Sequence, residues 1–229
     1  MTRENILVCW SGGKDSAMAL YEIQKSGRFE VLALLTTVTR DYERISMHGV
    51  RNELLERQAK SIGLPLEKVY ISKGAANAEY ESQMEAALLK YRAMNVRKVT
   101  FGDIFLEDLR IYRERNLAKL GMEGIFPIWK RETKTLVREF IQLGFKAILC
   151  CVDPKVLDPS FVGRTIDDEF LRALPESVDP CGENGEFHSF VYGGPILKEE
   201  IRIAAGEKVL KEGFWFCDLF AIEESVNRV

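Results

Sequence analysis

The residues best suited to chemistry stand near the N-terminus, in the stretch Ser11–Ser16, which reads Ser-Gly-Gly-Lys-Asp-Ser. Glycines let a backbone approach a ligand closely, the lysine carries positive charge, and the serines carry hydroxyl donors. The apolar run at 6–10 predicts a buried strand before the stretch, and apolar residues at helical spacing follow it up to Gly27. A helix that begins there would aim its free N–H groups at an anion. We therefore predict a phosphate site formed by Ser11, Gly12, Gly13, Lys14, Asp15 and Ser16.

Two familiar nucleotide loops are excluded by spacing. A Walker A loop needs Gly-x-x-x-x-Gly-Lys-Ser/Thr, whereas here the glycines are adjacent and an aspartate follows the lysine. The pattern is not Gly-x-Gly-x-x-Gly either. A plain Gly-Gly turn capped by a serine is the remaining alternative, and the lysine, the two serines and the strand–loop–helix frame favour the phosphate site.

Further residues are candidates for nucleotide or metal contact. A bare carboxylate at Asp15 would repel phosphates, so we predict Mg²⁺ between them, although Asp15 can also simply favour the helix N-terminus. Gly102 and Asp103 follow a predicted strand at the end where parallel sheets bind ligands, and Asp103 can contact metal or ribose or cap the next helix. His48 lies in a polar loop after the second strand, as a phosphate contact or a surface residue.

A second group of acidic residues stands in the stretch 179–188, Asp-Pro-Cys-Gly-Glu-Asn-Gly-Glu-Phe-His. Carboxylates there can bind ammonium, deprotonate it, or hold a substrate amine. We predict Glu186 and Glu183 in these roles, with Asn184 and His188 supporting them. The alternative is an ordinary Asn-Gly turn with polar neighbours. Cys181 and His188 lack the further ligands that a zinc site needs.

The elements that must position these residues alternate along the first half of the chain. Strands are predicted at 6–10, 29–39, 67–72, 97–101 and 124–127. Helices are predicted between them, after the loop at 11–16, at 50–61, at 78–93 and from Glu107. This alternation is typical of a parallel sheet covered on both faces.

After Trp129 the pattern changes to a helix at 132–143, a strand at 146–152, a short acidic helix at 167–173, and several strands from Phe187 to Glu223. Turns are predicted at Gly193-Gly194 and Ala205-Gly206. We therefore predict an α/β fold with a Rossmann-like doubly wound parallel sheet over residues 1–128. A smaller α+β domain is predicted over residues 129–229.

Composition argues against some classes of function. The chain has 229 residues, 46% of them hydrophobic, and its net charge of −3 argues against nucleic-acid binding through a broad positively charged surface. No apolar run is long enough for a membrane span or a signal peptide. The five cysteines form no Cys-x-x-Cys pair, so free thiols in the cytoplasm are expected. The apolar run Phe214-Trp215-Phe216 can pack a homodimer as readily as a core.

The strand, Ser-Gly-Gly-Lys-Asp-Ser and helix together resemble the PP-loop ATP pyrophosphatase superfamily. Further stretches resemble the diphthine–ammonia ligase family, in its shorter prokaryotic branch. They are Gly102-Asp103-Ile104 with Glu107-Asp108, Pro127-Ile128-Trp129, Leu157-Asp158-Pro159 with 163–167, and 181–188. The family tends to have Gly-Ala-Ile where this chain has Gly102-Asp103-Ile104, and Tyr-Glu-Thr where it has Phe187-His188-Ser189.

The resemblance implies a reaction. Members of the superfamily bind ATP in an adenine nucleotide alpha hydrolase-like domain and release pyrophosphate while they adenylate an oxygen of the substrate. In the ligase family the substrate is a carboxylate on a modified histidine of an elongation factor, and ammonia then makes the amide. Lys14, Asp15 and Glu186 would be catalytic, with ATP, Mg²⁺, ammonia and the acceptor as partners. Two alternatives stay open: the same chemistry on a small-molecule carboxylate or amide, and an ATP-binding module without turnover.

Overall fold

The computed structural model describes residues 3–40, 44–45, 49–74 and 77–222. Its first sheet contains five parallel strands in the spatial order β4, β2, β1, β5, β6. They are β1 (Glu4–Cys9), β2 (Phe29–Thr39), β4 (Leu66–Ile71), β5 (Lys98–Thr100) and β6 (Glu123–Ile125). A two-residue strand, β3 (Arg44–Ile45), pairs antiparallel with the end of β2. The predicted parallel sheet is confirmed.

Four helices cover the two faces of this sheet, which makes it doubly wound as predicted. They are α1 (Lys14–Ser26), α2 (Asn52–Ile62), α3 (Asn77–Ala93) and α4 (Glu107–Lys119). Side chains of α1 and α2 pack with Val8 of β1, whereas side chains of α3 and α4 pack with its neighbour Leu7. Successive residues of a strand point to opposite faces, so β1 is buried on both sides and reads as a continuous apolar run.

The second half of the chain forms a smaller antiparallel sheet in the order β8, β7, β10, β9. Its elements are α5 (Thr133–Gln142), β7 (Lys146–Val152), a 3-10 helix (Pro159–Phe161), α6 (Asp168–Ala173), β8 (Phe187–Gly193), β9 (Ile203–Lys211) and β10 (Phe214–Ala221). The predicted domain boundary falls in the turn at 127–130, between β6 and α5.

One predicted turn is wrong. Ala205-Gly206 lies inside β9, where Phe220 occupies the space beside Gly206: a Cβ there would stand 2.1 Å from the Phe220 ring. The chain reverses instead at Glu212 and Gly213, both with positive φ. The glycine of 205–206 therefore makes room for an aromatic side chain of the neighbouring strand.

The two sheets share one apolar core. Val8 and Leu54 of the first half belong to the same cluster of buried side chains as Phe140 and Phe190 of the second. Trp215 packs against this cluster, and the Phe216 ring lies against Gly49. All five cysteines are free thiols, as expected. Within the described residues, every helix is too short or too polar to cross a bilayer.

Candidate active site

A cavity of about 370 Å³ opens where β1, β2 and β5 end and the second half of the chain faces them. Its size is in the range of ligand-binding pockets. Its polar and charged lining includes Ser11, Lys14, Asp15, Ser16, Thr36, Thr37, Tyr80, Asp103, Arg113, Glu183, His188 and Ser189. The carboxyl ends of parallel strands are the usual ligand edge of such a sheet, so the cavity lies where the fold favours binding.

The stretch Ser11–Ser16 forms a compact loop that leads from β1 into α1. The Ser11 and Ser16 hydroxyl oxygens lie 3.2 Å apart, the Gly13 N–H donates to Ser11 Oγ, and the Ser16 hydroxyl donates to the Gly13 carbonyl at 2.9 Å. Gly12 has a φ of 78°, a left-handed conformation that favours glycine. The loop and the first turn of α1 thus form one wall of the cavity.

Lys14 is buried and points across to the second half of the chain. Its Nζ lies 2.8 Å from both carboxylate oxygens of Asp15 and donates to the carbonyl of Cys181. Burial disfavours the charged form of Lys14, but the nearby negative groups, Asp15 first, outweigh it and the pKa of Lys14 is raised. Burial also raises the pKa of Asp15, against the opposing effect of Lys14. The cavity therefore holds a lysine ammonium whose charge is partly balanced by its neighbour.

The loop after β5 supplies the next wall. A Cβ on Gly102 would lie 2.7 Å from the backbone of Asp15, so only glycine lets this loop approach the start of α1. Asp103 is 2.7 Å from Nε of Arg113, and Arg113 stacks on the ring of Phe101 with 4.6 Å to its centroid. Asp103 is thus paired with a largely buried arginine of α4.

Glu183 extends from the second half of the chain into the first. Its Oε1 accepts hydrogen bonds from the backbone N–H groups of Ile104 at 2.7 Å and Phe105 at 3.3 Å. Burial, with a further contribution from the Asp15 carboxylate, raises the pKa of Glu183 to about 7. A carboxyl with a pKa near neutrality is suited to accept or release a proton at physiological pH.

Glu186 lies in the same stretch but turns away from the cavity. Its carboxylate accepts hydrogen bonds from the backbone N–H of Asp179 at 3.1 Å, the backbone N–H of Asn184 at 3.0 Å and the Asn184 side chain at 2.9 Å. Among the described residues that line the cavity, neither Glu186 nor Asn184 occurs. Glu183, rather than Glu186, is therefore the carboxyl of this stretch that faces the cavity, and Glu186 holds the loop together.

His188 lines the cavity from β8. Burial, with a smaller effect of Lys14, lowers the pKa of His188 to about 4. The imidazole is therefore neutral at pH 7 and can donate one hydrogen bond and accept another.

The structure brings together most of the residues that the sequence singled out. Lys14, Asp15, Asp103, Glu183 and His188 line one cavity, with Ser11, Gly13, Ser16 and Gly102. Gly12 belongs to the loop without lining the cavity, and His48 lies outside the described residues. No described set of three histidine, cysteine, aspartate or glutamate residues is arranged to hold a metal ion.

Three buried residues at the site were not predicted as site residues from the sequence. Thr36 of β2 has a hydroxyl without a partner among the described residues, Ser189 accepts the Lys14 N–H at 3.2 Å, and Gln58 contacts Gly12. A signal for Gln58 exists: it stands four residues from Leu54 and from Ile62, on the apolar face of α2. A polar residue on such a face needs buried partners.

The doubly wound sheet and the Ser-Gly-Gly-Lys-Asp-Ser loop at the end of β1 define the class of this protein as a PP-loop α/β protein. The chain belongs to the diphthamide synthase family: the model of the "Diphthamide synthase N-terminal domain" matches residues 4–124, and that of the "Diphthamide synthase C-terminal domain" matches residues 132–225. The resemblance to the diphthine–ammonia ligase family is confirmed, and its placement in the shorter prokaryotic branch stays a prediction.

Two curated relatives illustrate the similarity. A diphthine–ammonia ligase of Danio rerio is 28% identical over 221 residues, covering 87% of this chain and 86% of the relative. A diphthine–ammonia ligase of Homo sapiens is 24% identical over 222 residues, covering 87% of this chain and 83% of the relative. A solved Methanocaldococcus jannaschii structure, titled a predicted subunit of tRNA methyltransferase, aligns with a TM-score of 0.43 at 19% identity, covering 86% of this chain and 100% of that one.

Proposed function

We propose that this protein is an ATP-dependent ligase that adenylates a carboxylate, releases pyrophosphate and converts the carboxylate into an amide with ammonia. The proposed acceptor is diphthine, which the names of the relatives support, and the family resemblance implies that an elongation factor carries it. One observation carries the proposal: the phosphate loop at Ser11–Ser16 and the carboxyl group of Glu183 line the same cavity. Adenylation and amidation need such a pairing, because one step expels pyrophosphate and the other requires a proton acceptor.

The first step concerns the loop. A carboxylate oxygen of the acceptor attacks the α-phosphorus, and the bond from that phosphorus to the pyrophosphate oxygen breaks. Negative charge builds on the leaving pyrophosphate, where the Lys14 ammonium and the N–H groups at the start of α1 would neutralise it. Lys14 would exchange its contacts with Asp15 and Cys181 for phosphate oxygens.

Magnesium is a further part of the proposal. Mg²⁺ is commonly held by one or two carboxylates together with substrate phosphates and water. Asp15 is the residue of this chain that would contact it, and the ion would offset the repulsion between Asp15 and the phosphates.

In the second step ammonia attacks the acyl carbon of the adenylate, and AMP leaves with the electrons of the broken C–O bond. Ammonium in solution must lose one proton before it can attack, and the nitrogen loses a second proton once the C–N bond has formed. Glu183, whose pKa is about 7, would take one of these protons and pass it to solvent, and water would take the other. The Ile104 and Phe105 N–H groups fix the Glu183 carboxyl at the cavity wall. Neutral His188, in the lining of the same cavity, would orient the acceptor.

The test is product analysis with ATP, Mg²⁺ and ammonium, with and without a diphthine-bearing elongation factor. AMP and pyrophosphate that form only with the factor, together with an amide on it, support the proposal. ADP as the product contradicts it. ATP binding without turnover on the factor favours another carboxylate acceptor.

Lys14→Ala probes the phosphate loop in the same assay. The expected result is a loss of AMP formation of at least about a hundredfold, because the variant lacks the cation that would meet the leaving pyrophosphate. The matched control is Lys25→Ala, which removes a lysine from the other end of α1. Retained AMP formation in Lys14→Ala would rule out the proposed role of the loop.

A further inference from the structure

Gln58 is a fully buried polar side chain of α2, in contact with the phosphate loop. Its amide nitrogen donates to the carbonyl of Gly12 at 2.9 Å and to the carbonyl of Val191 at 2.6 Å, while its amide oxygen accepts from the indole N–H of Trp10 at 3.0 Å. Each hydrogen of the nitrogen thus has an acceptor, and the oxygen has a donor. A buried amide satisfied in this way is held in one orientation.

The loop is shaped around this side chain. A Cβ on Gly12 would lie 2.8 Å from the Gln58 amide oxygen, so Gln58 occupies the space that any larger residue at that position would need. The Gly12 carbonyl also accepts the N–H of Val191 at 2.9 Å. Gln58 and β8 therefore bind the same peptide group of the loop from two sides.

Strand β8 begins at Phe187, within the end of the acidic stretch that carries Glu183. Two residues before Val191 on this strand, the Ser189 hydroxyl oxygen accepts a hydrogen bond from the backbone N–H of Lys14 at 3.2 Å. The phosphate loop and the acidic stretch are thus joined by one strand. Gln58 bonds to both sides of that junction, through the Gly12 carbonyl of the loop and the Val191 carbonyl of the strand.

We propose that Gln58 is a positioning residue of the reaction: it holds the phosphate loop in its binding geometry and in register with the strand that presents Glu183. The inference rests on the proposed function in that the loop binds the phosphates of ATP. Loss of Gln58 would remove one hydrogen-bond donor from each of the Gly12 and Val191 carbonyls, and the loop would relax away from the arrangement that receives pyrophosphate.

Ser61 on the same helix offers a matched control. It is buried like Gln58 and ties α2 to the second half of the chain: its hydroxyl donates to the Glu199 carbonyl at 2.7 Å and accepts the Glu199 N–H at 3.2 Å. It contacts neither the phosphate loop nor β8 through these bonds. Ser61→Ala therefore removes a comparable structural link without touching the loop.

The experiment compares the binding of ATP and of inorganic pyrophosphate to wild type, Gln58→Met and Ser61→Ala by calorimetry, with thermal unfolding of each. Methionine keeps the length of the side chain but has no donor. Both variants should unfold at lower temperature than wild type. Only Gln58→Met should bind pyrophosphate at least about tenfold more weakly, since the loss of two hydrogen bonds, one to the loop and one to β8, is of that order.

Equal pyrophosphate affinity in Gln58→Met and wild type would overturn the inference, and so would an equal loss in Ser61→Ala. Gln58→Leu is the second variant should Gln58→Met fail to fold: it also has no donor for the two carbonyls, and should weaken pyrophosphate binding at least about tenfold as well. Wild type that binds neither ligand would instead overturn the proposed function itself.

Discussion

Replacing Glu183 by glutamine should change how stability depends on pH. Burial raises the pKa of Glu183 from 4.5 to about 7 in the folded protein. Between these values the folded state holds a proton that the unfolded state has released, so stability falls as pH rises through this window. Glutamine has no proton to lose in this range, and the dependence should therefore be absent from the Glu183→Gln variant.

The size of the effect follows from the shift. Two and a half pKa units correspond to roughly 3 kcal/mol, and partial exposure of Glu183 to solvent reduces this to about 1–2 kcal/mol. For a chain of this length that is about 2–8 °C in the unfolding midpoint. Glutamine keeps the Oε1 acceptor for the Ile104 and Phe105 N–H groups, so the variant should fold.

The assay is thermal unfolding of both proteins at pH 5 and pH 8, with Glu85→Gln, which changes an exposed carboxylate of α3, as the control. Relative to wild type, Glu183→Gln should be more stabilised at pH 8 than at pH 5. In the ligase assay, wild-type amidation should rise with pH through about 7, and Glu183→Gln should lose most of it while still binding ATP. If the difference in stability between Glu183→Gln and wild type is the same at both pH values, Glu183 does not have a raised pKa in the folded protein.

Two further outcomes are expected. Burial lowers the pKa of His188 to about 4, so an NMR titration should find the imidazole neutral down to about pH 5. Because the unfolded state binds this proton more readily than the folded state, the contribution of His188 to stability should fall as pH drops below about 6.5. A titration midpoint near 6.5 would contradict the burial of His188. Gly102→Ala should lower the free energy of unfolding in urea by about 1–3 kcal/mol and weaken ATP binding, because its Cβ would press on the Asp15 backbone. The control is Gly193→Ala, where flexible side chains line the space that the Cβ would enter. Equal losses of stability in the two variants would contradict the close approach of Gly102 to Asp15.

The strands and helices of the first half were predictable because their signals are local. The apolar run of β1 and the glycines that end α1 and α2 act through their own backbone: Gly27 and Gly63 both have positive φ. The strand–loop–helix frame of Ser11–Ser16 was predictable for the same reason, whereas its role as an anion site stays a prediction. The hairpin of β9 and β10 was less predictable, because Gly206 makes room for Phe220 on another strand.

The acidic stretch shows where local reasoning ends. The sequence presents Glu183 and Glu186 as equivalent carboxylates three residues apart. Tertiary structure separates them: Glu186 turns back to the N–H groups of its own loop, while Glu183 reaches the N–H groups of Ile104 and Phe105. Which carboxyl meets the cavity depends on donors 79 and 78 positions away.

The sequence by itself determined the class of fold, the strand–loop–helix frame of Ser11–Ser16 and the family, because each depends on neighbouring residues and their spacing. Only the tertiary structure decided which ionisable groups share the cavity and with what charge. Asp103 forms an ion pair with Arg113, and Lys14 forms one with Asp15. The Ser11–Ser16 loop is hydrogen-bonded to Gln58 of α2. Burial and pairing between distant segments set the pKa values and orientations on which the chemistry depends, and no local pattern encodes them.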